Sequence, residues 1–108
     1  MDMTNTNNNR IYIKLYYDNH CYETEEITMT IYPNQIILTE YTYEHAPGGS
    51  YGLTHVLDSK NAKKFIAKMK LGGRDLSETV KKKFSGPDGA EKFKEYCKRK
   101  GINFISHI

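Results

Sequence analysis

A period-two alternation of apolar and polar residues runs through the first half of the chain and limits the folds it can adopt. Side chains on a β-strand point alternately to its two faces, so this pattern predicts strands that are buried on one side only. The first strand begins near Arg10. One of its faces is predicted to carry Ile11, Ile13, Leu15 and Tyr17, and the other Tyr12, Lys14 and Tyr16.

Three more strands are predicted, separated by segments with turn chemistry. The second runs through Ile27, Met29 and Ile31. The third, at about 35–44, has apolar residues on both of its faces, which predicts a central position in the sheet. The fourth covers 51–57. Proline, glycine, asparagine and aspartate favour tight reversals, and turns are predicted at Asp18-Asn19-His20, Pro33-Asn34 and Pro47-Gly48-Gly49. Strands joined by such short turns form an antiparallel meander, which needs a covering layer on one face.

The second half of the chain has the spacing of amphipathic helices, which would supply that layer. The first helix is predicted to have Ser59 as its N-cap and to end at Gly72-Gly73. A second begins at a capping box formed by Asp75 and Glu78, and a third begins at Gly86-Pro87. The apolar residues predicted to face the sheet are Ala62, Phe65, Ile66, Met69, Leu76, Val80, Phe84, Ala90, Phe93 and Cys97.

These elements predict an α+β fold. A four-stranded antiparallel meander at about 10–57 is covered on one face by three short helices at about 59–100. Residues 102–108 are predicted as a short C-terminal strand that pairs with an edge of the sheet. Residues 1–9 are predicted to be a disordered polar tail, and residues 10–108 a single domain that is long enough to bury one core.

Several classes of protein are not indicated by the sequence. The first residues lack a basic start and an apolar stretch, and no run of about 18 apolar residues exists. We therefore expect a cytoplasmic protein without a membrane-spanning segment. Cys21 and Cys97 lie in segments of different type, form no CxxC pair and are expected to be reduced. The histidines and cysteines match no zinc spacing, so neither a metal nor a cofactor is predicted.

The net charge of +3 conceals a division of the chain into an acidic and a basic half. Residues 1–57 contain two basic and seven acidic side chains, a balance of −5. Residues 58–108 contain fourteen basic and six acidic side chains, a balance of +8. Such asymmetry favours an electrostatically steered partner.

The glycine-rich hairpin within residues 41–55 is the first place to look for a small-molecule site. A phosphate-binding loop leads into a helix, whereas this loop leads into a predicted strand, so a plain hairpin is the better interpretation. The hairpin could bring together Glu44, His45 and His55, and a carboxylate beside an imidazole tunes histidine for proton transfer. Local sequence marks no serine or cysteine nucleophile, and we do not predict an enzyme.

Tyrosine is concentrated in the first half of the chain, which holds eight of the nine. Tyrosine is favoured in strands generally, but eight cannot all be buried, and several should lie on the face of the sheet without helices. Exposed tyrosines provide large contact areas at low entropy cost. We predict a small, non-enzymatic intracellular binding protein, similar in size and character to inhibitors and immunity proteins, with a protein partner. The predicted interface residues are Tyr41, Tyr43, Glu44, His45 and Tyr51.

The lysine-rich helices support an alternative function, which is sequence-independent binding of nucleic acid. Clustered cations can neutralise backbone phosphates. Only two arginines lie in this half, which argues against base reading, and lysine also serves simply to solvate outer helix faces. The candidate residues are Lys81, Lys82, Lys83, Lys98, Arg99 and Lys100. An exposed sheet face with a free edge would also permit a homodimer.

Overall fold

A five-stranded antiparallel sheet, with its strands in sequential order, is the frame of the fold. The computed structural model describes residues 10–20, 22–44 and 49–108. Each strand pairs antiparallel with the next strand along the chain, and the last strand returns to the sheet edge after the long segment 58–104. The strands are β1 Ile11–Asn19, β2 Glu23–Tyr32, β3 Gln35–Glu44, β4 Ser50–Leu57 and β5 Ile105–His107.

Three helices cover one face of this sheet. They are α1 Ser59–Met69, α2 Leu76–Phe84 and α3 Gly89–Lys100, with a short 3-10 turn at Leu71–Gly73. The predicted α+β fold is therefore confirmed, including the central place of β3 and the pairing of the last strand with an edge. Two layers make a slab with principal extents of 44 × 40 × 23 Å. None of the helices described is long and apolar enough to cross a membrane.

The core lies between the helices and the covered face of the sheet. Phe65 of α1 is at its centre and contacts the rings of Phe84, Phe93 and Tyr96 at centroid distances of 5.5–6.1 Å. These aromatic contacts hold the three helices together, because the four rings come from all three of them. The sheet contributes a buried layer of Ile13, Leu15, Ile27, Met29, Ile31, Ile36, Leu38 and Leu57.

The face predicted for Tyr17 is wrong, because a β-bulge shifts the phase of β1. Lys14 pairs with Thr28 and Tyr16 with Ile27, so Leu15 is an extra residue in the strand. Leu15 stays buried, and its carbonyl accepts a hydrogen bond from the backbone N–H of Gly86 at 3.0 Å. After the bulge, Tyr16 packs against the core and Tyr17 points to the other face.

Three predicted boundaries also differ from the structure. Asp58, rather than Ser59, caps α1, and its carboxylate accepts from the N–H of Asn61 at 3.0 Å. The third helix begins at Gly89, where an added Cβ would lie 2.0 Å from the carbonyl oxygen of Phe84, so only glycine fits. The last strand is shorter than 102–108 because its start packs on α1, with the N–H of Asn103 donating to Asn61.

Candidate functional site

The sheet face opposite the helices, called the open face below, remains uncovered by the described part of the chain. No side chain that the cross-strand register places on it is fully buried. Four tyrosines on it are strongly exposed, namely Tyr12 (59%), Tyr17 (54%), Tyr41 (40%) and Tyr43 (49%). Their neighbours are mostly threonines and aliphatic residues, including Thr28, Thr30, Ile37, Thr39, Thr54, Val56 and Ile105. The face therefore combines large aromatic rings with hydroxyl groups.

Two of these tyrosines are held in place by their neighbours. The rings of Tyr41 and Tyr43 stack at a centroid distance of 6.5 Å with 15° between their planes. Gly52 lies directly across from Tyr41, and a Cβ added there would come 3.2 Å from its ring. Because Gly52 has no side chain, the Tyr41 ring can lie over it. An aromatic residue that covers a glycine on the neighbouring strand is a known arrangement in sheets.

The open face has little net charge. Its lysine, Lys14, pairs with Glu26 at 3.0 Å, and its ammonium group lies 4.8 Å from the centroid of the Tyr17 ring. The hydrogen bond and charge of Glu26 raise the pKa of Lys14. Among the described residues that the strand register places on this face, Lys14 is the one lysine or arginine, and its pairing leaves no unpaired cation there to attract phosphate.

The structure separates the residues predicted as one interface. Tyr41 and Tyr43 lie on the open face, whereas Glu44 and Tyr51 lie on the face that carries the helices. Neighbouring strand residues point to opposite faces, so Tyr43 and Glu44 cannot share one. His45 lies outside the described residues. Tyr12 and Tyr17, which belong to the open face, were not among the predicted interface residues, and for Tyr17 only the bulge reveals its position.

His55 forms its hydrogen bonds with partners that the sequence did not indicate. Its side chain is 1% exposed. Its Nε2 lies 2.7 Å from Glu40 Oε2, and its Nδ1 lies 2.7 Å from Ser106 Oγ. A carboxylate oxygen only accepts hydrogen bonds, so Nε2–H donates to Glu40, and Nδ1 forms the second hydrogen bond with the Ser106 hydroxyl. His55 is therefore bonded to Glu40 and Ser106 and not to the predicted Glu44, while the predicted His45 lies outside the described residues.

This chain of hydrogen bonds joins the sheet to a helix. A serine hydrolase places the serine on Nε2 and the carboxylate on Nδ1, whereas here the two positions are exchanged. None of the three surface concavities described below is lined by Glu40, His55 or Ser106. Lys94 of α3 approaches Glu40 at 3.8 Å. The network thus connects β3, β4, β5 and α3, and we assign it a role in stability.

Carboxylates gather on the covered face of the sheet, beyond the end of the helix layer. Glu23 lies directly opposite Glu44, and Glu25 pairs with Asp18. A hydrogen bond with Glu23, followed by burial and the charge of Glu23, raises the pKa of Glu25. In residues 10–20, 22–44 and 49–108 no three histidine, cysteine or acidic side chains are arranged to hold a metal ion.

The candidate cations of the helices divide between neighbouring concavities. Arg99 and Lys100 of α3 meet Lys83 of α2 around the ring of Tyr96, at 5.7–5.9 Å from its centroid. Lys81 and Lys82 line a second concavity with Arg74. Lys98 lines none of the three concavities described. Lys68 and Arg74, which are not among the predicted nucleic-acid residues, complete the surface around Tyr96.

The chain matches no protein-family model, no curated protein and no solved structure. What the chain does must therefore be inferred from the geometry of its own residues.

Proposed function

We propose that this chain is a non-enzymatic binding protein that docks another protein on the open face of its sheet. The observation that supports this proposal is the exposure of Tyr12, Tyr17, Tyr41 and Tyr43 together on one uncovered face. Tyrosine and other aromatic residues dominate the energetics of protein interfaces, because they bury much area while losing few rotamers.

The chemistry of the face favours a protein over a nucleic acid. With Lys14 and Glu26 paired, its contacts are rings and hydroxyl groups. Such groups suit a partner surface that is uncharged and offers hydrogen-bond acceptors and donors to the tyrosine and threonine hydroxyls. The strand that carries Tyr41 and Tyr43, β3, is in the middle of the sheet, so docking would require little ordering of the backbone.

The test compares exposed tyrosines on the two faces of the same sheet. Tyr41→Ser with Tyr43→Ser removes two rings from the open face, and Tyr51→Ser removes a ring that is 62% exposed on the covered face. A partner captured with the wild-type chain is purified, and its Kd for each variant is measured by calorimetry. We expect the double variant to weaken binding at least tenfold, which is about 1.4 kcal/mol, and Tyr51→Ser to leave it nearly unchanged.

Three results would contradict the proposal. The first is binding that depends on Tyr51 and not on Tyr41 and Tyr43, because the partner would then use the covered face. The second is capture that disappears after nuclease treatment. The third is a concentration-dependent dimer in sedimentation that the double variant abolishes, since the face would then bind a second copy of this chain. Equal melting temperatures of all variants ensure that a loss of binding is not a loss of folding.

A further inference from the structure

A groove in the helix layer, on the other side of the sheet from the open face, gathers five cationic side chains. We call it the cationic groove; it has a volume of about 360 Å³ and is lined by Lys68, Leu71, Arg74, Lys83, Tyr96, Arg99 and Lys100. Its cations come from α1, α2, α3 and the segment between α1 and α2. No carboxylate lines it, in contrast to the two concavities beside it.

These five cations make no ion pair with any residue that the structure describes. Elsewhere in the chain Lys14, Lys92 and Lys94 each lie within 3.3 Å of a carboxylate. Bringing like charges together without counter-charges costs free energy, so the fold maintains here a positive potential that an anion would relieve.

The floor of the groove fixes its cations close together. The charged groups of Lys83, Arg99 and Lys100 lie 5.7, 5.8 and 5.9 Å from the centroid of the Tyr96 ring, within the range of a cation–π attraction. The ring itself is almost buried, and burial raises the pKa of Tyr96, so its hydroxyl stays neutral. Leu71 adds an apolar contact at the rim, since it is 68% exposed.

The groove continues into its two neighbours, which suits an extended anion. It shares Arg74 and Lys83 with a concavity of about 830 Å³ that also contains Lys81 and Lys82. On its other side it shares Lys83, Tyr96 and Arg99 with one of about 270 Å³. Cations therefore extend from the group around Tyr96 along a track across α2 and α3.

We infer that the cationic groove binds the phosphodiester backbone of a nucleic-acid strand. A strand carries one negative charge at every nucleotide and can place successive phosphates along the track, with a sugar or base against Leu71. Lysine supplies three of the five cations, and contacts to phosphate carry no sequence information, so binding is sequence-independent. This site goes beyond the proposed protein-docking function and lies on a separate surface.

The experiment measures fluorescence anisotropy of a labelled single strand of mixed sequence, with a duplex of the same sequence in parallel. If about five phosphates are contacted, the Kd for the single strand should rise about 100-fold between 50 and 200 mM salt, as the release of counterions requires. Lys83→Ala with Arg99→Ala should raise the Kd at low salt about tenfold or more and lower the salt slope by about 1.4.

A matched control removes two charges from outside the groove. Lys60→Ala with Lys63→Ala changes the net charge equally on exposed positions of α1 that line none of the three concavities. We expect this control to weaken binding much less than the groove variant, and Tyr41→Ser with Tyr43→Ser to leave it unchanged.

Binding of either probe with this pattern supports the inference. Four results would overturn it. The first two are no binding at 50 mM salt, and an equal loss of affinity in the groove variant and the control. The other two are an affinity that depends on Tyr41 and Tyr43, and polyglutamate binding that is as tight or tighter. The last result would assign the groove to an acidic protein. Of these results only dependence on Tyr41 and Tyr43 would also concern the open face; the other three leave docking there untouched, since that surface is tested with a protein partner.

Discussion

The two faces of the sheet are built from the same strands and carry opposite kinds of side chain. The covered face presents Ile13, Met29 and Leu38 to the helices, and all three are buried. The open face presents tyrosines and threonines to water. The side chains that form the core and those that remain exposed to water are one step apart along each strand, because adjacent residues point to opposite sides. Substitutions on the two faces should therefore change different measurements.

The largest expected effect is from Phe65→Ala on the covered side. Phe65 contacts three other rings, so its loss leaves a cavity at the junction of all three helices. We expect the free energy of unfolding to fall by about 3–5 kcal/mol, measured by urea denaturation. A loss below about 1 kcal/mol would mean that the helices are not packed around this ring.

A smaller effect is expected from Asn61→Ala, which removes a polar contact inside the same layer. Asn61 is buried, donates to Asp58 at 2.9 Å and accepts from the N–H of Asn103 at 2.8 Å. Its removal should cost about 1–3 kcal/mol, because buried polar groups lose their partners. Asn103→Ala is the control, since it keeps the backbone N–H and removes an exposed side chain. Similar losses in both variants would contradict this assignment.

On the open face, Tyr12→Ser should change the free energy of unfolding by less than about 0.5 kcal/mol, as exposed substitutions usually do. Tyr12 is 59% exposed and lies on the edge strand of the sheet. The same urea titration measures it beside Phe65→Ala. A cost near that of Phe65→Ala would show that something covers this face, and the distinction between the two faces would fail.

The smallest effect concerns the pH dependence that Glu25 introduces. Its pKa is raised in the folded state, so the folded chain binds this proton more tightly than the unfolded chain does. The resulting stability is complete in acid, below the ordinary pKa of 4.5, and is lost as the pH rises through the raised value. Glu25→Gln should therefore raise the melting temperature slightly at pH 7. It should also make the melting temperature change less between pH 4 and pH 7 than it does in the wild-type chain.

The control for this pH effect is Glu95→Gln, which removes the same charge from the outer surface of α3. Glu95 lines a concavity with Lys83, Lys92 and Arg99. No other carboxylate lines that concavity, so neutralising Glu95 relieves no repulsion of the kind between Glu23 and Glu25, and we expect no gain in melting temperature at pH 7. A gain of equal size in both variants would show that total charge, and not the contact with Glu23, explains the effect.

The sequence was sufficient to predict elements whose signals are local. Alternation revealed the strands, and apolar spacing and end signals revealed the helices, because these depend on residues a few positions apart. The bulge at Leu15 could not be predicted in this way, because it depends on how β1 pairs with β2 and has no local signal. Tyr16 and Tyr17 are the same residue type, so nothing in the pattern distinguishes which of them faces the core.

Site residues were harder to predict because their contacts depend on register and on distant segments. Leu38 is the direct partner of His55, which makes Glu40 its diagonal neighbour across β3 and β4. Only the register reveals that pair, whereas reading along the hairpin suggested Glu44. The cationic groove likewise includes Lys68 and Arg74, which are not among the six residues predicted to bind nucleic acid.

The thin shape of the slab has a consequence for two ligands bound together. The open face and the cationic groove lie on opposite sides of the sheet in a body whose smallest extent is 23 Å. A protein on one side and a nucleic-acid strand on the other would be held a short, fixed distance apart, with neither blocking the other. Each would then raise the effective concentration of its counterpart, and the chain would act as a rigid bridge between them.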